Sequence, residues 1–564
     1  MSATYRFGAA LLAMIALPPV SAQHAAGVRF EVVLAAGLRP EPITGRVFVF
    51  LSHDSNPEPR LQAGGVVSVP FFGADVDQLR PGAVALVDRR ALGYPLRSID
   101  SLPPGDYFVQ ALASPYTRFA RADGHTIWAH MDEWEGQEFN TAPGSLVSAV
   151  RRVHVDGRRG TRVRLELTRI LPPVEVPPDD RYVKRLRIQS PILTKWWGHP
   201  MYLGAVVLLP RGYDDHPTVR YPAIWLQGHF TLEPPFDFTL DSTPEPEDAR
   251  RARLQRTDHR ESGREFAHAW LSDSFPRMVA IRILHPTPYY DDSYAVNSAN
   301  NGPYGDAIMQ ELIPYLEKQF RVIGEPYARV LTGGSTGGWE ALALQVYHPD
   351  FFGGTWSYYP DPVDFRRYEL VNLYADTNAF VVERNRWIRV ERPSERRPDG
   401  QPVVTIRQEN QLNNARGGRR RGGENFAIWE ATYGPTDQDG YPAAIWNDAT
   451  GTINREVARY WRSHDFDIRD YLERNWQTIG PSLVGKIHLL CGDMDNYYLN
   501  LAVYLLEDFL EHRTTPAYGG YFKYGRPMKG HGWQPTSNAD LVREMAEHVS
   551  ARAPAGEPSG AWRY

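Results

Sequence analysis

Apolar residues follow a short, β-type pattern in the first part of the chain. Between residues 28 and 168, runs rich in β-branched and aromatic side chains alternate with turn residues. The clearest runs are 30–34, 46–51, 106–112 and 162–167. Several short strands at this spacing predict a β-sandwich. Prolines at 172, 173, 177 and 178 favour a stiff linker, so we predict that the β-sandwich domain covers residues 27–172.

After this linker, apolar strands alternate with amphipathic helices. Continuous apolar runs at 203–209, 223–226 and 279–284 predict buried strands. Segment 304–320 carries one apolar helical face, made of Ile308, Leu312, Ile313, Leu316 and Phe320. Alternation of this kind predicts an α/β domain with a mostly parallel sheet, which we place at residues 183–552.

The N-terminus has the pattern of a secretory signal peptide, at residues 1–22. Arg6 precedes an apolar run over 7–17, and the small residues Val20, Ser21 and Ala22 follow. The run is shorter than the ~20 residues that a membrane-spanning helix needs. We therefore expect an exported protein, periplasmic or secreted. The single cysteine, Cys491, allows no intrachain disulfide.

Size and charge narrow the functional classes. The 564 residues, of which 42% are hydrophobic, are more than one compact core usually needs, which agrees with two domains. A net charge of -5 from 62 basic and 67 acidic residues gives no electrostatic reason to expect a nucleic acid partner. The basic run 416–423 is expected to be a solvated loop.

The sequence 328–347 has a nucleophile-elbow pattern. An apolar strand leads into Gly333-x-Ser335-x-Gly337, and an Ala/Leu-rich helix follows. In such a turn the glycines let strand and helix approach closely while the serine projects its hydroxyl from a strained backbone. Ser335 is therefore the predicted nucleophile of an α/β-hydrolase fold.

A serine nucleophile needs a base and an acid that orients the base. A buried strand at 486–492 is followed by two carboxylates, Asp493 and Asp495. We favour Asp495 as the acid, and spacing leaves Asp493 open as the alternative. His531 lies between glycines in a loop after the last predicted strand, so it is the predicted general base.

Acyl transfer also needs backbone N–H donors for the oxyanion. Thr336 follows the nucleophile, and His229 follows the strand at 223–226, so these two residues are the predicted donors. Tyr497 and Tyr498 stand beside the predicted acid and are expected to line the cleft. We predict no metal and no cofactor.

Five segments resemble the putative esterase family of α/β hydrolases, which includes esterase-D-type, feruloyl, acetyl-xylan and enterochelin-esterase-like enzymes. They are 221–230, 301–321, 333–339, 487–499 and 530–533. The resemblance covers roughly residues 183–550 and implies an α/β-hydrolase fold and ester hydrolysis. Two long insertions, near 231–277 and 361–475, depart from the compact members.

The predicted function is therefore hydrolysis of a carboxylic ester through Ser335, His531, Asp495 and an acyl-enzyme. The expected partner is a small-molecule or polysaccharide-linked ester. Two alternatives stay open at this point: a serine peptidase on the same fold, and a non-catalytic protein that binds carbohydrate or another ligand.

Overall fold

The computed structural model describes residues 27–256, 261–555, 562 and 564 of the chain. The signal peptide predicted at residues 1–22 lies outside these described residues. Within them, every helix is too short or too polar to cross a membrane.

The N-terminal part contains eleven strands among the described residues. They are β1 (Val28–Leu34), β2 (Ile43–Ser52), β3 (Phe71–Leu79), β4 (Val84–Val87), β5 (Leu92–Tyr94), β6 (Gly105–Pro115), β7 (Thr117–Ala120), β8 (Thr126–Ala129), β9 (Leu146–Ser148), β10 (Arg151–Val155) and β11 (Thr161–Ile170). Nine of them form one sheet in the order β4-β1-β11-β9-β6-β2-β3-β5, with β10 paired to β6, while β7 and β8 form a hairpin.

The prediction of a β-rich N-terminal part is confirmed, but its strands do not form the two separate ladders expected of a sandwich. They hydrogen-bond as one ladder, and β4 at one edge contacts β3 near the other edge. A twisted sheet of this size tends to curl. The curled sheet encloses an apolar core of its own.

This N-terminal sheet also buries apolar side chains on its other face. Along β2, Val47, Val49 and Leu51 belong to the enclosed core, whereas Phe48 and Phe50 belong to a second cluster. Successive side chains of a strand point to opposite faces, which explains this division. The second cluster includes side chains of the α/β part, among them Leu412 and Ala415. The two parts of the chain therefore share an apolar interface.

The second sheet belongs to the remainder of the chain. Its region contains β12 (Val183–Gln189), β13 (Tyr202–Leu208), β14 (Ala223–Gln227), β15 (Val279–Leu284), β16 (Asn297–Ser298), β17 (Gly302–Pro303), β18 (Arg329–Gly334), β19 (Gly354–Tyr358), β20 (Val381–Arg384), β21 (Ile388–Glu391), β22 (Pro393–Arg396), β23 (Pro402–Thr405), β24 (Ile487–Gly492) and β25 (Tyr521–Gly525). Eight form a sheet in the order β12-β13-β15-β14-β18-β19-β24-β25. The pairs β12–β13 and β13–β15 are antiparallel, and the other five are parallel.

Twelve α-helices are described in the same region. They are α1 (Pro191–Trp197), α2 (Glu247–Arg256), α3 (Gly263–Trp270), α4 (Tyr304–Ala307), α5 (Ile313–Gln319), α6 (Thr336–Tyr347), α7 (Ile406–Arg416), α8 (Asn425–Tyr433), α9 (Arg455–Ser463), α10 (Ile468–Leu483), α11 (Asn500–Glu511) and α12 (Asn538–Arg552). A π-helical turn at Ile308–Leu312 joins α4 to α5, so the segment 304–320 is helical as predicted.

The basic run 416–423 is not a solvated loop, and that expectation was wrong. The side chain of Arg421 is 5% exposed and forms an ion pair with Asp75 of the N-terminal sheet, N–O 2.6 Å. From the other side, the guanidinium of Arg46 donates to the carbonyl oxygen of Ala415 at 2.9 Å. Paired arginines therefore fasten the 361–475 insertion to the N-terminal sheet, because a buried guanidinium needs such partners.

Candidate active site

Ser335 stands in a sharp turn between β18 and α6. Its φ of 59° and ψ of −123° are strained for a residue with a side chain. A Cβ on Gly333 would lie 2.3 Å from the carbonyl oxygen of Gly337, and one on Gly337 would lie 2.2 Å from that of Gln227. Only glycine fits at these two positions, so the turn can bring strand, helix and serine together.

The hydroxyl of Ser335 donates to Oδ1 of Asp361 at 3.4 Å in this structure. Asp361 is buried and also accepts from the hydroxyls of Tyr294 at 2.6 Å and Thr336 at 3.0 Å, and from the indole of Trp429 at 3.2 Å. Burial raises the pKa of this carboxyl, while the hydrogen bonds from Tyr294 and Thr336 oppose the rise. Asp361 was not predicted as a site residue, although it follows the end of β19 by three residues, much as Asp495 follows β24.

His531 and Asp495 are brought into contact. Nδ1 of His531 lies 2.8 Å from Oδ2 of Asp495. The other carboxylate oxygen of Asp495 accepts from the backbone N–H groups of Tyr497 at 3.0 Å and Leu499 at 3.3 Å, which fix its orientation. Asp493 is engaged elsewhere, because its carboxylate accepts from the N–H of Lys529 at 3.2 Å. Of the two acids that spacing left open, Asp495 is the one that contacts the histidine.

Aromatic rings hold the His531 imidazole from two sides. The ring centroids of Tyr359 and Tyr497 lie 4.7 and 4.9 Å from that of His531. Tyr497 lines the cavity described below, as expected. Tyr498 does not, and the expectation for it was wrong: its ring packs against the guanidinium of Arg396, 4.3 Å from the centroid.

The backbone N–H groups of His229 and Thr336 have no hydrogen-bond acceptor among the described residues. The neighbouring N–H of Phe230 is already bonded to Asp292, at 3.0 Å. An amide without an internal partner at the cavity wall is available to an oxyanion. Neither predicted donor is therefore committed to an acceptor within the described part of the chain, and their role as an oxyanion hole stays a prediction.

The side chain of His229, for which the sequence analysis predicted no function, is part of the site. Its Nδ1 lies 3.2 Å from Oδ1 of Asp291 and 3.6 Å from Oδ2 of Asp292. Its Nε2 lies 3.4 Å from the hydroxyl of Thr336. Desolvation opposes the charged imidazolium, but Asp291 and Asp292 raise the pKa of His229 well above its usual value. The side chain therefore brings a positive charge to the wall where an oxyanion would form.

Ser335, His229 and His531 open onto one cavity of about 550 Å³. Three regions supply its walls: the strand ends, the 361–475 insertion and two loops of the N-terminal part. The lining residues are Gly65, Val66, Val67, Gln137, His229, Ser335, Asp361, Glu395, Glu409, Glu424, Asn425, Trp429, Tyr497, Leu499 and His531. A volume in this range accommodates a small organic ligand.

Two groups of side chains in the described part have metal-binding types in proximity, His130 with Asp132 and Glu135, and His229 with Asp291 and Asp292. In the first group the His130 ring contacts Glu135, and Asp132 accepts from the N–H groups of Trp134 and Gly136. These side chains thus already serve as hydrogen-bond partners that shape their loops. The absence of a metal stays a prediction.

Comparisons with known proteins agree with the resemblance seen in the sequence. Residues 275–414 match the family model described as "Putative esterase", which confirms that resemblance. No curated protein sequence matches the chain. Among solved structures, a ferulic acid esterase is 14% identical, with 65% of this chain and 97% of that chain covered and a TM-score of 0.34.

Two further solved structures have similar values. S-formylglutathione hydrolase (FrmB) from Staphylococcus aureus is 13% identical over 65% of this chain and 98% of its own, with a TM-score of 0.30. MPT51 (FbpC1) of Mycobacterium tuberculosis is 12% identical over 66% of this chain and 99% of its own, with a TM-score of 0.33.

Proposed function

We propose that the protein is an exported serine hydrolase that cleaves a carboxylic ester. In this proposal, residues 183–552 form an α/β-hydrolase catalytic domain that follows a β-sandwich-like domain at 27–172. The observation that carries it is the common cavity, in which the Ser335 hydroxyl and a His531 imidazole bonded to Asp495 at 2.8 Å both take part. No other serine lines that cavity among the described residues.

The proposed reaction begins when Ser335 attacks the ester carbonyl. His531 accepts the hydroxyl proton through Nε2, because its Nδ1 faces Asp495. The negative charge on the carbonyl oxygen is stabilised by the N–H groups of His229 and Thr336 and by the nearby His229 imidazolium. His531 then protonates the leaving alcohol, and water repeats the sequence on the acyl-enzyme.

One rotation precedes attack in this mechanism. The Ser335 hydroxyl donates to Asp361 in the structure, so it must rotate to donate to His531 instead when substrate is bound. Hydrogen bonds of a catalytic serine are often long or poorly aligned before substrate binds. The 3.4 Å bond to Asp361 is itself long, so little free energy opposes the rotation.

Hydrolysis of p-nitrophenyl acetate by Ser335→Ala tests the proposal. We expect kcat/KM to fall by about 10⁴-fold or more, because the nucleophile of a triad acts together with its base. Ser463→Ala is the matched control, since Ser463 is exposed at the end of α9 and lies outside the cavity. Retention of wild-type activity by Ser335→Ala contradicts the proposal.

A further inference from the structure

The 361–475 insertion gives the cavity a strongly acidic wall. Glu395 comes from β22 and Glu409 from α7, and Asp361, which contacts Ser335, lines the same cavity. Among the described residues that line the cavity there is no Lys or Arg. The basic side chains on this lining are the two histidines, and each of them already contacts an aspartate. A ligand in this cavity therefore meets several carboxyl groups and no Lys or Arg on the described lining.

Some carboxyl groups of the cavity are compensated. Glu424 forms an ion pair with Arg416, and Asp361 accepts hydrogen bonds from three different side chains besides Ser335. Glu395 and Glu409 form no ion pair within the described part of the chain, and Glu409 contacts the Ser394 hydroxyl. The uncompensated charge is thus confined to the insertion wall.

Glu369 lies behind this wall and adds to its excess of carboxyl groups. Its side chain is fully buried, and neither carboxylate oxygen has a donor in hydrogen-bonding geometry. Burial raises the pKa of Glu369 well above its usual range, the charges of Glu409 and Glu395 raise it further, and the Ser394 hydroxyl opposes the rise. Three carboxyl groups from separate segments therefore converge without an ion pair to Lys or Arg among the described residues, and His531 is the basic group that acts on Glu395.

This arrangement costs stability unless a cation enters. A buried carboxylate without a partner is unfavourable, and neighbouring carboxylates repel one another. Burial raises the pKa of Glu395 to about 7 and that of Glu409 to about 8, so both are partly or largely charged in mildly alkaline solution. Trp429 and Tyr497, which line the same cavity, are aromatic side chains of the kind that ammonium groups contact.

We propose that the cavity selects esters that carry a positively charged nitrogen, which binds against the wall formed by Glu395 and Glu409, with the buried Glu369 behind it, while the ester reaches Ser335. The selectivity rests on the proposed function, because it assigns a substrate class to the same site. An anionic ester meets the same wall with like charge and is disfavoured. Val66, Val67 and Gln137 of the N-terminal part also line the cavity, whose volume of about 550 Å³ suits a small ester.

Pairs of isosteric esters test this selectivity. For a cation on the acyl side, the pair is p-nitrophenyl 6-aminohexanoate and p-nitrophenyl heptanoate; for a cation on the alcohol side, it is acetylcholine and 3,3-dimethylbutyl acetate. The readout is the ratio of kcat/KM values within each pair, measured at mildly alkaline pH. An opposite charge beside a carboxylate is worth about one to three pKa units. We therefore expect a ratio on the order of tenfold or more in favour of the cation in at least one pair.

Two variants test whether the insertion wall causes the preference for the cationic ester. Glu395→Gln and Glu409→Gln should each lower the ratio towards one, and Glu395 is the more tolerant position because its side chain is only partly buried. Glu391→Gln is the matched control: Glu391 lies in the same insertion but is exposed and paired with Arg407. It should keep the wild-type ratio.

The outcomes separate the two proposals. A ratio near or below one in both pairs, with the neutral esters hydrolysed, overturns the cation selectivity and leaves the esterase intact. A high ratio that neither Glu395→Gln nor Glu409→Gln lowers overturns the assignment to this wall. If no ester is hydrolysed and Ser335 is not labelled by a fluorophosphonate, the proposed function fails and the selectivity fails with it.

Discussion

The cavity has two walls, one at the strand ends and one from the 361–475 insertion, and they differ in whether their charged groups have partners. At the strand ends each charged group has a partner: Asp495 contacts His531 at 2.8 Å, and His229 contacts Asp291 at 3.2 Å. On the insertion wall, Glu395 forms no ion pair with Lys or Arg among the described residues, and behind it Glu369 has no donor in hydrogen-bonding geometry. The first wall is preorganised for a reaction, whereas the second leaves charge for a ligand to complete. In the two proposals, reaction and selectivity thus depend on different parts of the chain.

The largest expected effect concerns the strand-end wall, at the proposed general base His531. His531→Ala removes the group that we propose takes the Ser335 proton, so we expect kcat on p-nitrophenyl acetate to fall by about 10⁴-fold or more. His512→Ala, an exposed histidine after α11, is the matched control and should remain near wild type. An equal and small change in both variants would contradict the role given to His531.

The proposed acid, Asp495, should give the next largest effect on kcat. Asp495→Asn leaves the carboxamide able to accept hydrogen bonds but removes the charge that orients His531, and we expect kcat to fall by about 10³- to 10⁴-fold. Asp493→Asn keeps an oxygen for the Lys529 N–H, so its kcat should lie within about twofold of wild type. The reverse order of the two variants would make Asp493 the acid.

The residues of the strand-end wall could be predicted from local sequence patterns, whereas those of the insertion wall could not. Ser335, Asp495 and His531 each follow a strand that short-range apolar patterns reveal, and strand ends of a parallel sheet meet at one edge. The elbow glycines and the position of His531 in its loop are equally local. For these residues, recognising the strands was enough to place Ser335 and His531 at one cavity, whereas the contact of His531 with Asp495 rather than Asp493 came only from the structure.

Long-range packing decides the remainder. Arg421 looked solvated in a Gly/Arg-rich run, and its partner Asp75 is 346 residues away. Glu369, Glu395 and Glu409 come from a loop, a hairpin and a helix whose mutual arrangement no periodicity specifies. The curl of the N-terminal sheet could not be predicted from local sequence either, because it depends on contact between strands near opposite edges of the sheet.

The His229 side chain should have a smaller effect than the base or the acid. His229→Asn keeps the backbone N–H but removes the imidazolium that Asp291 and Asp292 hold, so we expect kcat to fall by about 10- to 100-fold. The change should appear in kcat more than in KM, because the charge acts on the developing oxyanion. An unchanged kcat would remove His229 from the electrostatics of the site.

The smallest effect concerns stability and pH on the insertion wall. Burial raises the pKa of Glu409 above its value in the unfolded chain, so its folded form holds a proton that the unfolded form loses first. This stabilisation is present at low pH and declines as the pH rises through about 8. The carboxyls facing Glu409 are Glu369 and Glu395, and the polar neighbours are Ser394 and Asn425.

Glu409→Gln should therefore gain stability relative to wild type as the pH rises. Thermal unfolding of both proteins is measured from low pH to above pH 8. We expect the Tm of Glu409→Gln minus that of wild type to increase by about a few degrees over this range. A difference that is constant with pH, or that changes in the opposite direction, would mean that Glu409 is compensated after all.

Covalent labelling of Ser335 is the most direct measurement. The folded protein is treated with a fluorophosphonate and digested, and the adduct is located by peptide mass spectrometry. We predict one adduct, on the serine of the peptide that contains Gly333-Gly334-Ser335-Thr336-Gly337, and its loss in Ser335→Ala and strong reduction in His531→Ala. An unlabelled Ser335, or equal labelling in wild type and His531→Ala, would contradict a serine activated by histidine at this site.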